Sequence, residues 1–567
     1  MAQTGVLLLT APLNHLRQHI QVILSSAAKS IRRVLYVQIQ PGLDLAKTGS
    51  CLPFPVSSEL ASFITQVYSY SGNSHHSLDV RILLSNITCN LAIPSTVPSR
   101  PQILSSSPQL VMTDSLLPSD QILSHLSQWI VIQREPRVEK LFTTPATDET
   151  RSNTAGSTAG PTASKGTESA AATGSTAATQ GQGDRVLKTY RHVCLGGTFD
   201  RLHAGHKILL SDSALRATEK ITVGVTDGPM LENKTLMELI LPLAERLEGV
   251  TQFIQDVKPC LLHSEAVVPI TDPFGPSIVV PDIDCIVVSE ETRKGGDSVN
   301  KRRLEKNMTE LSVHSIDIVP DQNHAQHEEA KVSSSSTRAR LLGKLLQPPK
   351  IVGEKPTPYI IGLTGGIASG KSSVCRRLEG LGAAIIDCDK LGHRAYEPGT
   401  LAHQQIIEEF GQDVLGEDER INRAVLGPKV FSNPARLQAL NKIVWPSIQR
   451  LAQSQIDEYT TQGKTICILD AAVLLEANWD QFTHEVWTCI IPKKEAVQRI
   501  MERDGLVEER ALQRIESQMT NEERVARSNV VLCTKWEPEI TQKQVEKAWS
   551  GLQGRLQNIG KPEQPKL

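Results

Sequence analysis

The chain has 567 residues, a length typical of three or four domains rather than of one hydrophobic core. Its 60 basic and 62 acidic side chains give a formal net charge of −2, so the composition carries no electrostatic sign of nucleic-acid binding. No apolar run approaches the ~18–20 residues that a bilayer-spanning helix requires. The ten cysteines are scattered without a CxxC pair, which predicts reduced thiols in an intracellular compartment rather than a disulfide framework or a zinc site.

The amino-terminal segment has an unusual charge distribution. No acidic residue precedes Asp44, whereas Arg17, Lys29, Arg32 and Arg33 are basic and the leucines around them give an amphipathic pattern. This composition is typical of mitochondrial targeting, and it predicts a mitochondrial location (outer surface or matrix) and/or a cytoplasmic one, with attachment to a membrane surface through this segment. The alternative interpretation is the first helix of a folded domain.

Residues 1–142 support that alternative as well. The segments 32–40, "RRVLYVQIQ", and 78–86, "LDVRILLSN", have the apolar and β-branched character of strands. We therefore predict a small α/β domain here, a degenerate relative of the domain that follows, without a catalytic constellation of its own.

Composition divides the rest of the chain. Residues 143–185 are mostly Ala, Gly, Ser and Thr and cannot bury enough apolar area to offset their backbone entropy, so they are predicted to form a disordered linker. A shorter proline-rich linker is predicted at 346–356. Two further blocks result, 186–345 and 357–567.

Both later blocks alternate short strands with helix-length segments. This pattern predicts βαβ units, and hence an α/β fold with two parallel sheets covered on both faces. Ligands of such sheets bind at the carboxyl ends of the strands. The predicted strands are 221–227, 284–290, 358–365, 465–472 and 485–492.

"GLTGGIASGKSS", residues 362–373, matches the P-loop pattern between a predicted strand and a predicted helix. Its glycines turn backbone N–H groups toward phosphate oxygens at a helix N-terminus, Lys371 is expected to reach the β- and γ-phosphates of ATP, and the Ser372 hydroxyl to bind Mg²⁺. The predicted nucleotide-binding residues are Gly365, Gly366, Ile367, Ala368, Ser369, Gly370, Lys371, Ser372 and Ser373.

Three aspartates follow strands near this loop. Asp387 and Asp389 end the strand in "AAIIDCDKLG", where a carboxylate can accept the proton of an attacking hydroxyl. Asp470, after the apolar strand in "ILDAAVLLE", has the position of a second Mg²⁺ ligand. Each aspartate taken singly could also cap a helix.

An arginine-dense helical segment, 498–531, follows. It fits a solvated helix face with i,i+4 ion pairs. It equally fits a lid whose Arg503 closes over the phosphates and excludes water, and we favour the lid because a kinase must exclude water as a competing acceptor.

Block 357–567 resembles the dephospho-coenzyme A kinase family through "GLTGGIASGKSSV", "IIDCDKLGHRAYEPG", "LDAAVLLE" and "RDGLVEERALQRIESQM". The resemblance implies phosphorylation of the ribose 3′-hydroxyl of dephospho-coenzyme A by ATP, with Asp389 as general base and Asp387 binding the substrate. The chain departs from the family's usual residues at Ala472-Val473, Trp445 and Ser528-Asn529.

A second motif lies upstream, in "GGTFDRLHAGHK", residues 196–207. His203 and His206 flank Gly205 at a predicted helix N-terminus, which places two imidazoles beside helix-end N–H groups suited to phosphate. As donors they can stabilise a transferring nucleotidyl group and its pyrophosphate leaving group. Histidine pairs also bind metals, but no third ligand at metal spacing accompanies this one.

The serine run in "KVSSSSTRARLLGKLL", residues 331–346, supplies hydroxyls and guanidinium groups at a helix start, which predicts a second phosphate cradle. Such a run taken singly is more typical of a helix cap or linker. The nucleotide-binding residues predicted here are Ser335, Ser336 and Thr337.

Block 186–345 resembles the H-x-G-H nucleotidyltransferases, and most closely the phosphopantetheine adenylyltransferases of the archaeal and eukaryotic type. The similar stretches are "GGTFDRLHAGH", "VGVTDGPMLENKTLMELILPLAER", "VVSEETRKGGDSVNKRR" and "SSSSTRAR". The resemblance implies adenylyl transfer from ATP to 4′-phosphopantetheine, with Lys234 neutralising the substrate phosphate and Arg293 binding substrate. It implies the catalytic histidines His203 and His206, and the nucleotide-binding residues Gly196, Gly197 and Thr198.

Taken together, the two resemblances imply a Rossmann-like nucleotidyltransferase followed by a P-loop kinase with a helical lid. Such a chain would catalyse the last two steps of coenzyme A synthesis, using ATP with Mg²⁺, 4′-phosphopantetheine and dephospho-coenzyme A, and no nucleic acid. Two alternatives remain: a scaffold protein that keeps these folds for binding only, and another nucleotidyltransferase joined to a nucleoside or shikimate-type kinase.

Overall fold

The computed structural model describes residues 1–41, 54–75, 77–88, 101–141, 187–350, 356–431 and 433–558. The predicted linker 143–185 lies outside the described residues. The contacts divide the chain into two compact units. The first unit comprises Met1–Glu232, Leu241–Asn323 and Ala330–Ser333, and the second comprises Asn233–Ile240, His324–Glu329 and Ser334–Leu567.

This division differs from the blocks expected from composition. The amino-terminal region and the predicted nucleotidyltransferase block form one unit because they share a continuous apolar core, in which Leu60 and Phe63 belong to the same cluster as Ile208 and Phe253. Short pieces of that block group with the kinase block instead.

The first unit contains an amino-terminal parallel sheet. Its strand order is β4-β2-β1-β6-β7, and β1 lies in the middle. Residues 6–9 of β1 have no exposed surface, as expected for a central strand covered on both faces. Two strands of two residues each, β3 and β5, form a separate parallel pair. The strands are β1 (Ala2–Leu9), β2 (Ile31–Ile39), β3 (Phe54–Pro55), β4 (Asp79–Leu83), β5 (Ile87–Thr88), β6 (Leu110–Thr113) and β7 (Arg137–Lys140).

The same unit contains a second parallel sheet, of order β10-β9-β8-β11-β12. When the strands of each five-stranded sheet in this unit are numbered by their order in the chain, both sheets have the spatial order 3-2-1-4-5. In this doubly wound order the direction of strand progression reverses beside the first strand, β1 or β8. Such a switch point leaves a crevice at the carboxyl ends of the strands, where ligands of these folds bind. The shared order supports the prediction that residues 1–142 are a degenerate relative of the following domain. The strands are β8 (Tyr190–Gly197), β9 (Ala217–Thr226), β10 (Val267–Ile270), β11 (Cys285–Ser289) and β12 (Ser312–Ile316).

In the described part of this unit, α-helices cover the two sheets. The first follows directly from β1 and buries its apolar face, including Leu16, Ile20 and Leu24. The structure thus confirms that the amphipathic amino-terminal segment is part of a folded domain, whereas its role as an address stays a prediction. The helices are α1 (Leu13–Ser30), α2 (Ser58–Ser74), α3 (Ser119–Leu126), α4 (Ala204–Arg216), α5 (Leu243–Val257) and α6 (Arg293–Glu305).

The second unit is built on a parallel sheet of order β14-β15-β13-β16-β17, so that β13 is again central. Its strands are β13 (Tyr359–Gly365), β14 (Ala384–Asp387), β15 (Ile466–Asp470), β16 (Glu485–Ile490) and β17 (Val530–Cys533). Its helices are α7 (Ser334–Ala339), α8 (Lys371–Gly380), α9 (Cys388–Arg394), α10 (Leu401–Phe410), α11 (Arg423–Phe431), α12 (Pro434–Thr461), α13 (Lys493–Asp504), α14 (Glu508–Glu516), α15 (Asn521–Ala526) and α16 (Pro538–Asn558).

The first half of the predicted linker 346–356 is packed in the second unit. Leu345 forms an antiparallel bridge with Val530 of β17, and the N–H of Leu346 donates to the carbonyl of Asn529 at 2.7 Å. The chain therefore runs along the edge of this sheet at 343–347, because β17 leaves backbone groups there to be paired. Within the described residues, no helix combines the length and hydropathy needed to cross a membrane.

Candidate functional sites

The P-loop in the second unit joins the end of β13 to the start of α8. Ala368 (φ 61°) and Gly370 (φ 82°) adopt left-handed backbone conformations, which turn successive N–H groups toward one concavity. A Cβ on Gly365 would lie 2.5 Å from the Ser369 hydroxyl and 2.6 Å from the carbonyl oxygen of Cys489. The first glycine of the motif is thus required by close packing against β16 and against the loop itself.

Lys371 is surrounded by two of the predicted carboxylates. Its Nζ donates to Asp470, and its distance to Oδ2 of Asp389 is 3.5 Å. Burial by itself lowers the pKa of Lys371, but Asp470 and Asp389 outweigh this effect and the pKa is raised. The side chain of Asp470 is 9% exposed and that of Asp389 is 60% exposed, so Asp389 alone of the two is accessible to a substrate hydroxyl.

The topology explains why these groups meet. Asp470 ends β15 and Asp387 ends β14, and the two residues are paired in register beside the end of β13. Asp387 is engaged in capping α9, where it accepts from the N–H of Lys390 at 2.9 Å and pairs with its ammonium at 3.1 Å. Burial raises the pKa of Asp387, but these contacts with Lys390 outweigh it and the pKa is lowered.

Ser372 and Asp470 suit a magnesium ion. Both offer hard oxygen atoms, Ser372 is exposed at the start of α8, and Asp470 lies beside Lys371 at the end of a central strand. Mg²⁺ is held by one or two protein oxygens and keeps waters and phosphate oxygens as its other ligands, so this small donor set fits it. Ser373, the next P-loop residue, instead contacts Arg377. Among the described residues, no group of three or more His, Cys, Asp or Glu side chains could hold a metal by itself.

The predicted lid segment forms α13, α14 and α15. Arg503 lies at the end of α13, is 57% exposed, and pairs with Asp504 at 2.8 Å. Hydrogen bonding with Asp504 raises the pKa of Arg503. The closure of Arg503 over the phosphates stays a prediction, and in this structure the neighbouring carboxylate of Asp504 holds its guanidinium.

Other residues of this segment contact the P-loop instead. Arg499 donates to the carbonyl of Ala368 at 3.4 Å and to that of Thr534 at 2.6 Å. Gln518 accepts from the N–H of Ile367 at 2.8 Å. Arg524, 2% exposed, comes within 3.4 Å of the Cβ position of Gly366. Sequence reasoning missed these residues, and a signal was available for Arg499 alone, which lies four residues before Arg503 on α13.

Apolar contacts also join the lid to the loop. Ile367 and Ala368 pack against a small cluster formed by Val497, Ile500 and Ala511, on α13 and α14. The lid helices therefore lie on the phosphate loop in this structure.

The H-x-G-H motif in the first unit follows β8, and α4 begins within it at Ala204. The rings of His203 and His206 are stacked, with centroids 3.8 Å apart and planes at 21°. A Cβ on Gly205 would lie 3.3 Å from the His203 ring. The glycine therefore leaves space for the stacked pair at the helix N-terminus, as the motif predicts.

The loop between β8 and α4 is held by groups that sequence reasoning did not single out. Arg246 of α5, 2% exposed, donates to the carbonyl oxygens of Thr198 at 3.1 Å and of Thr226 at 2.6 Å. Asp200 has no exposed surface and accepts from the N–H of Leu241 at 3.0 Å. The available signal was that Arg246 ends the stretch "VGVTDGPMLENKTLMELILPLAER", which carries the resemblance.

The remaining predicted residues of the first unit lie at strand and helix ends. Gly196 and Gly197 end β8, and a Cβ on Gly197 would lie 3.1 Å from the Phe199 ring. The Thr198 hydroxyl accepts from that of Thr226 at 3.2 Å. Arg293 begins α6 and donates to the hydroxyl of Ser315 at 3.1 Å.

Lys234 and the serine run belong to the second unit. Lys234 is exposed. The run forms the short helix α7, in which Ser335 and Thr337 are half-buried and Ser336 is buried. The Ser336 hydroxyl accepts from the N–H of Glu329 at 3.3 Å.

The switch point of the amino-terminal sheet is filled by its own side chain. The N–H groups of Thr10 and Ala11, after β1, donate to the carboxylate of Asp114 at 2.8 and 2.9 Å, and the Thr10 hydroxyl donates to it at 2.9 Å. Asp114 thus takes the donors that face a phosphate in nucleotide-binding loops. The absence of a catalytic constellation from residues 1–142 stays a prediction.

One cavity of the first unit, of about 560 Å³, is separate from these motifs. It is lined by His192, Thr222, His263 and the 268–282 segment, and none of the predicted site residues borders it.

Comparison with known proteins identifies three regions. A dephospho-CoA kinase family model matches residues 359–537, a cytidylyltransferase-like model matches 194–340, and the model of the COASY N-terminal domain matches 3–121. The chain is similar to the dephospho-CoA kinase of Geobacter sulfurreducens, with 41% identity over 191 residues that cover 34% of this chain and 97% of that protein. It is 41% identical to the dephospho-CoA kinase of Carboxydothermus hydrogenoformans over 186 residues, 33% of this chain and 90% of that protein.

Among solved structures, the crystal structure of TT1252 from Thermus thermophilus is 32% identical, with a TM-score of 0.31, and the match covers 35% of this chain and 99% of that one.

Through its carboxyl-terminal region the chain belongs to the dephospho-CoA kinase family. It also contains a domain of the nucleotidyltransferase kind. The presence of these two regions and the COASY N-terminal domain in one chain is consistent with a bifunctional coenzyme A synthase.

Proposed function

We propose that this chain is a bifunctional transferase of coenzyme A synthesis. Its first reaction transfers the adenylyl group of ATP to 4′-phosphopantetheine and gives dephospho-coenzyme A and pyrophosphate. Its second reaction transfers the γ-phosphoryl group of another ATP to the ribose 3′-hydroxyl of dephospho-coenzyme A and gives coenzyme A and ADP.

The observation that carries the kinase assignment is the position of Lys371, at the P-loop and between the carboxylates of Asp470 and Asp389. The loop amides and the ammonium group bind the phosphates and offset the charge that develops as the γ-phosphoryl group moves. The exposed carboxylate of Asp389 accepts the proton of the 3′-hydroxyl while the oxygen attacks the γ-phosphorus and ADP leaves. Ser372 and Asp470 would hold the Mg²⁺ that accompanies ATP, and the ion would supply further neutralisation of phosphate charge.

The lid contributes by excluding water. The packing of Ile367 and Ala368 against α13 and α14 covers one side of the loop with apolar atoms. A phosphoryl-transfer site covered in this way favours the alcohol acceptor over hydrolysis.

The adenylyl-transfer assignment is supported by the stacked histidines at the N-terminus of α4. A phosphate oxygen of 4′-phosphopantetheine attacks the α-phosphorus of ATP, and the bond to the β-phosphate oxygen breaks to release pyrophosphate. A phosphate is already a competent nucleophile, so His203 and His206 act as donors to phosphate oxygens rather than as bases. The resemblance adds Lys234 and Arg293 as groups that bind the substrate phosphate.

The test is product analysis of the purified chain. Incubation with ATP, Mg²⁺ and 4′-phosphopantetheine should yield pyrophosphate, ADP and coenzyme A, identified by mass. Incubation with dephospho-coenzyme A should yield ADP and coenzyme A without pyrophosphate. A parallel reaction with CTP in place of ATP tests the choice of nucleotide. Pyrophosphate release with CTP but not with ATP would contradict the adenylyl assignment.

A further inference from the structure

The amino-terminal sheet domain contacts the helix that carries the histidine motif. Near the end of α2, a Cβ placed on Gly72 would lie 2.6 Å from the Cβ of Ala204, the first residue of α4 and the one between His203 and Gly205. Carbon atoms pack at about 3.5–4.0 Å, so even a methyl group at position 72 requires one helix to move by about 1 Å. The φ of Gly72 is not in the left-handed region, and the glycine is therefore required for close approach and not for backbone conformation.

A second contact lies one turn further along α4. Lys207, which follows His206 directly, is 8% exposed, and its ammonium group pairs with Asp79 at 2.5 Å and donates to the carbonyl of Val80 at 3.2 Å. Asp79 and Val80 begin β4 of the amino-terminal sheet. The buried ammonium group of Lys207, next to the motif, is thus neutralised by a carboxylate of the amino-terminal sheet. Among the contacts described, no carboxylate from the sheet of β8–β12 pairs with it.

The end of α2 also contacts the segment around Pro320, which an isolated β-bridge joins to Lys331 beside the motif. Asn73 donates to the carbonyl of Pro320 at 3.3 Å, and its own carbonyl accepts from Asn323 at 2.7 Å. Pro320 is bridged to Lys331, and the carbonyl of the next residue, Val332, lies 3.7 Å from the Cβ position of Gly205. The same helix end therefore reaches the start of α4 directly and through this bridged segment.

We propose that α2 and the start of β4 are a positioning element for nucleotidyl transfer, with Gly72 and Asp79 as its positioning residues. The inference rests on the proposed adenylyl-transfer function of the histidine motif. The first turn of α4 sets where the imidazoles and the helix-end N–H groups stand, and a misplacement of about 1 Å in a transfer site can reduce the rate by about 10²-fold. The amino-terminal domain, whose own switch point is filled by Asp114, then serves catalysis by packing.

The decisive variant is Gly72→Ala, and Gly249→Ala is its matched control. Gly249 lies in α5 of the same unit, and a Cβ there meets nothing within 4 Å. Alanine is favoured over glycine in both helices, so neither substitution weakens its own helix. We expect Gly72→Ala to lower kcat for pyrophosphate release by about 10- to 100-fold with a much smaller change in KM, and Gly249→Ala to leave both unchanged.

The double variant Gly72→Ala/Ala204→Gly moves the methyl group from one helix to the other. It should recover most of the lost kcat, a coupling that general destabilisation would not produce. Phosphorylation of supplied dephospho-coenzyme A should stay at the wild-type rate in every variant. Wild-type kcat in Gly72→Ala, or an equal loss in Gly72→Ala and in the double variant, would overturn the proposal.

Hydrogen exchange separates this inference from the proposed function. Residues 203–211 should exchange faster in Gly72→Ala than in the wild type, whereas β8 should keep its protection. If the wild-type chain released no pyrophosphate, the proposed adenylyl transfer would be wrong, and the exchange measurement would still decide whether α2 positions α4. Unchanged exchange at 203–211 would refute the positioning element by itself.

Discussion

Substitution of Lys371 by methionine tests the proposed division of labour most directly. The change keeps an apolar stem of similar length and removes the ammonium group that lies between Asp470 and Asp389. Loss of one pre-organised group that meets transition-state charge typically costs about 10²–10³ in kcat. We expect a kinase turnover reduced by that factor, with pyrophosphate release at the wild-type rate and accumulation of dephospho-coenzyme A.

The structure also predicts a cost in stability. The side chains of Lys371 and Asp470 are 11% and 9% exposed, so the substitution leaves a buried carboxylate without its counter-charge. Removal of one partner of a buried pair costs about 3–5 kcal/mol. The double variant Lys371→Met/Asp470→Asn removes the unpaired charge, and it should recover most of this free energy of unfolding without recovering turnover.

The assay follows both products in one reaction, with pyrophosphate and ADP quantified separately and unfolding measured by denaturant titration of each variant. A kinase turnover within threefold of the wild type, or parallel loss of pyrophosphate release, would refute the reasoning. Recovery of kinase turnover in the double variant would show that the loss came from instability and not from the missing ammonium group.

Four other outcomes are expected. Asp389→Asn should lower the rate of 3′-phosphorylation by about 10²–10⁴-fold, the usual contribution of a general base. ATP affinity should be preserved in a binding titration, and near-normal turnover would show that Asp389 is not the base. His206→Ala should stop pyrophosphate release while supplied dephospho-coenzyme A is still phosphorylated, and loss of both activities would contradict two separate sites. His125 is buried, which lowers its pKa from 6.5 to about 4, so the unfolded chain binds the proton more tightly. The contribution of His125 to the free energy of unfolding should therefore be fully present above about pH 6.5, and this free energy should fall by up to about 3 kcal/mol as the pH is lowered toward 4. A His125→Gln variant with the same pH profile as the wild type would exclude this histidine as the cause. Arg32→Glu/Arg33→Glu changes two exposed side chains of the amino-terminal segment and should move a mitochondrial protein to the cytoplasm without altering either rate; an unchanged image would reject targeting by these charges.

The amino-terminal segment shows where composition reaches its limit. Its lack of acidic residues and its leucine spacing fit both a targeting helix and a helix of a folded domain, because both are amphipathic. The structure places β1 at the centre of a sheet, with residues 6–9 fully buried. Deletion of this segment would remove the central strand, so surface substitutions are the appropriate test of targeting.

The lid shows a different limit. The arginine density of 498–531 correctly indicated helices beside the P-loop, but Arg503 pairs with the adjacent Asp504, whereas Arg499 and Arg524 contact or approach the loop. The packing of the helix decides which of its faces turns inward. The sequence does not indicate that face, because every face of such a segment carries charge.

The sequence by itself determined the two motifs, their order in the chain and the α/β class, because strand–loop–helix transitions and their glycines are local features. The carboxylates of Asp387 and Asp470 could likewise be expected near the P-loop, since parallel strands end at one edge of a sheet. Only the tertiary structure decided that Arg246 holds the histidine loop, that Asp114 fills the amino-terminal switch point, and that Gly72 and Asp79 reach α4. Those contacts join residues far apart in the chain, and no periodicity or spacing within a segment carries information about which distant surface it will meet.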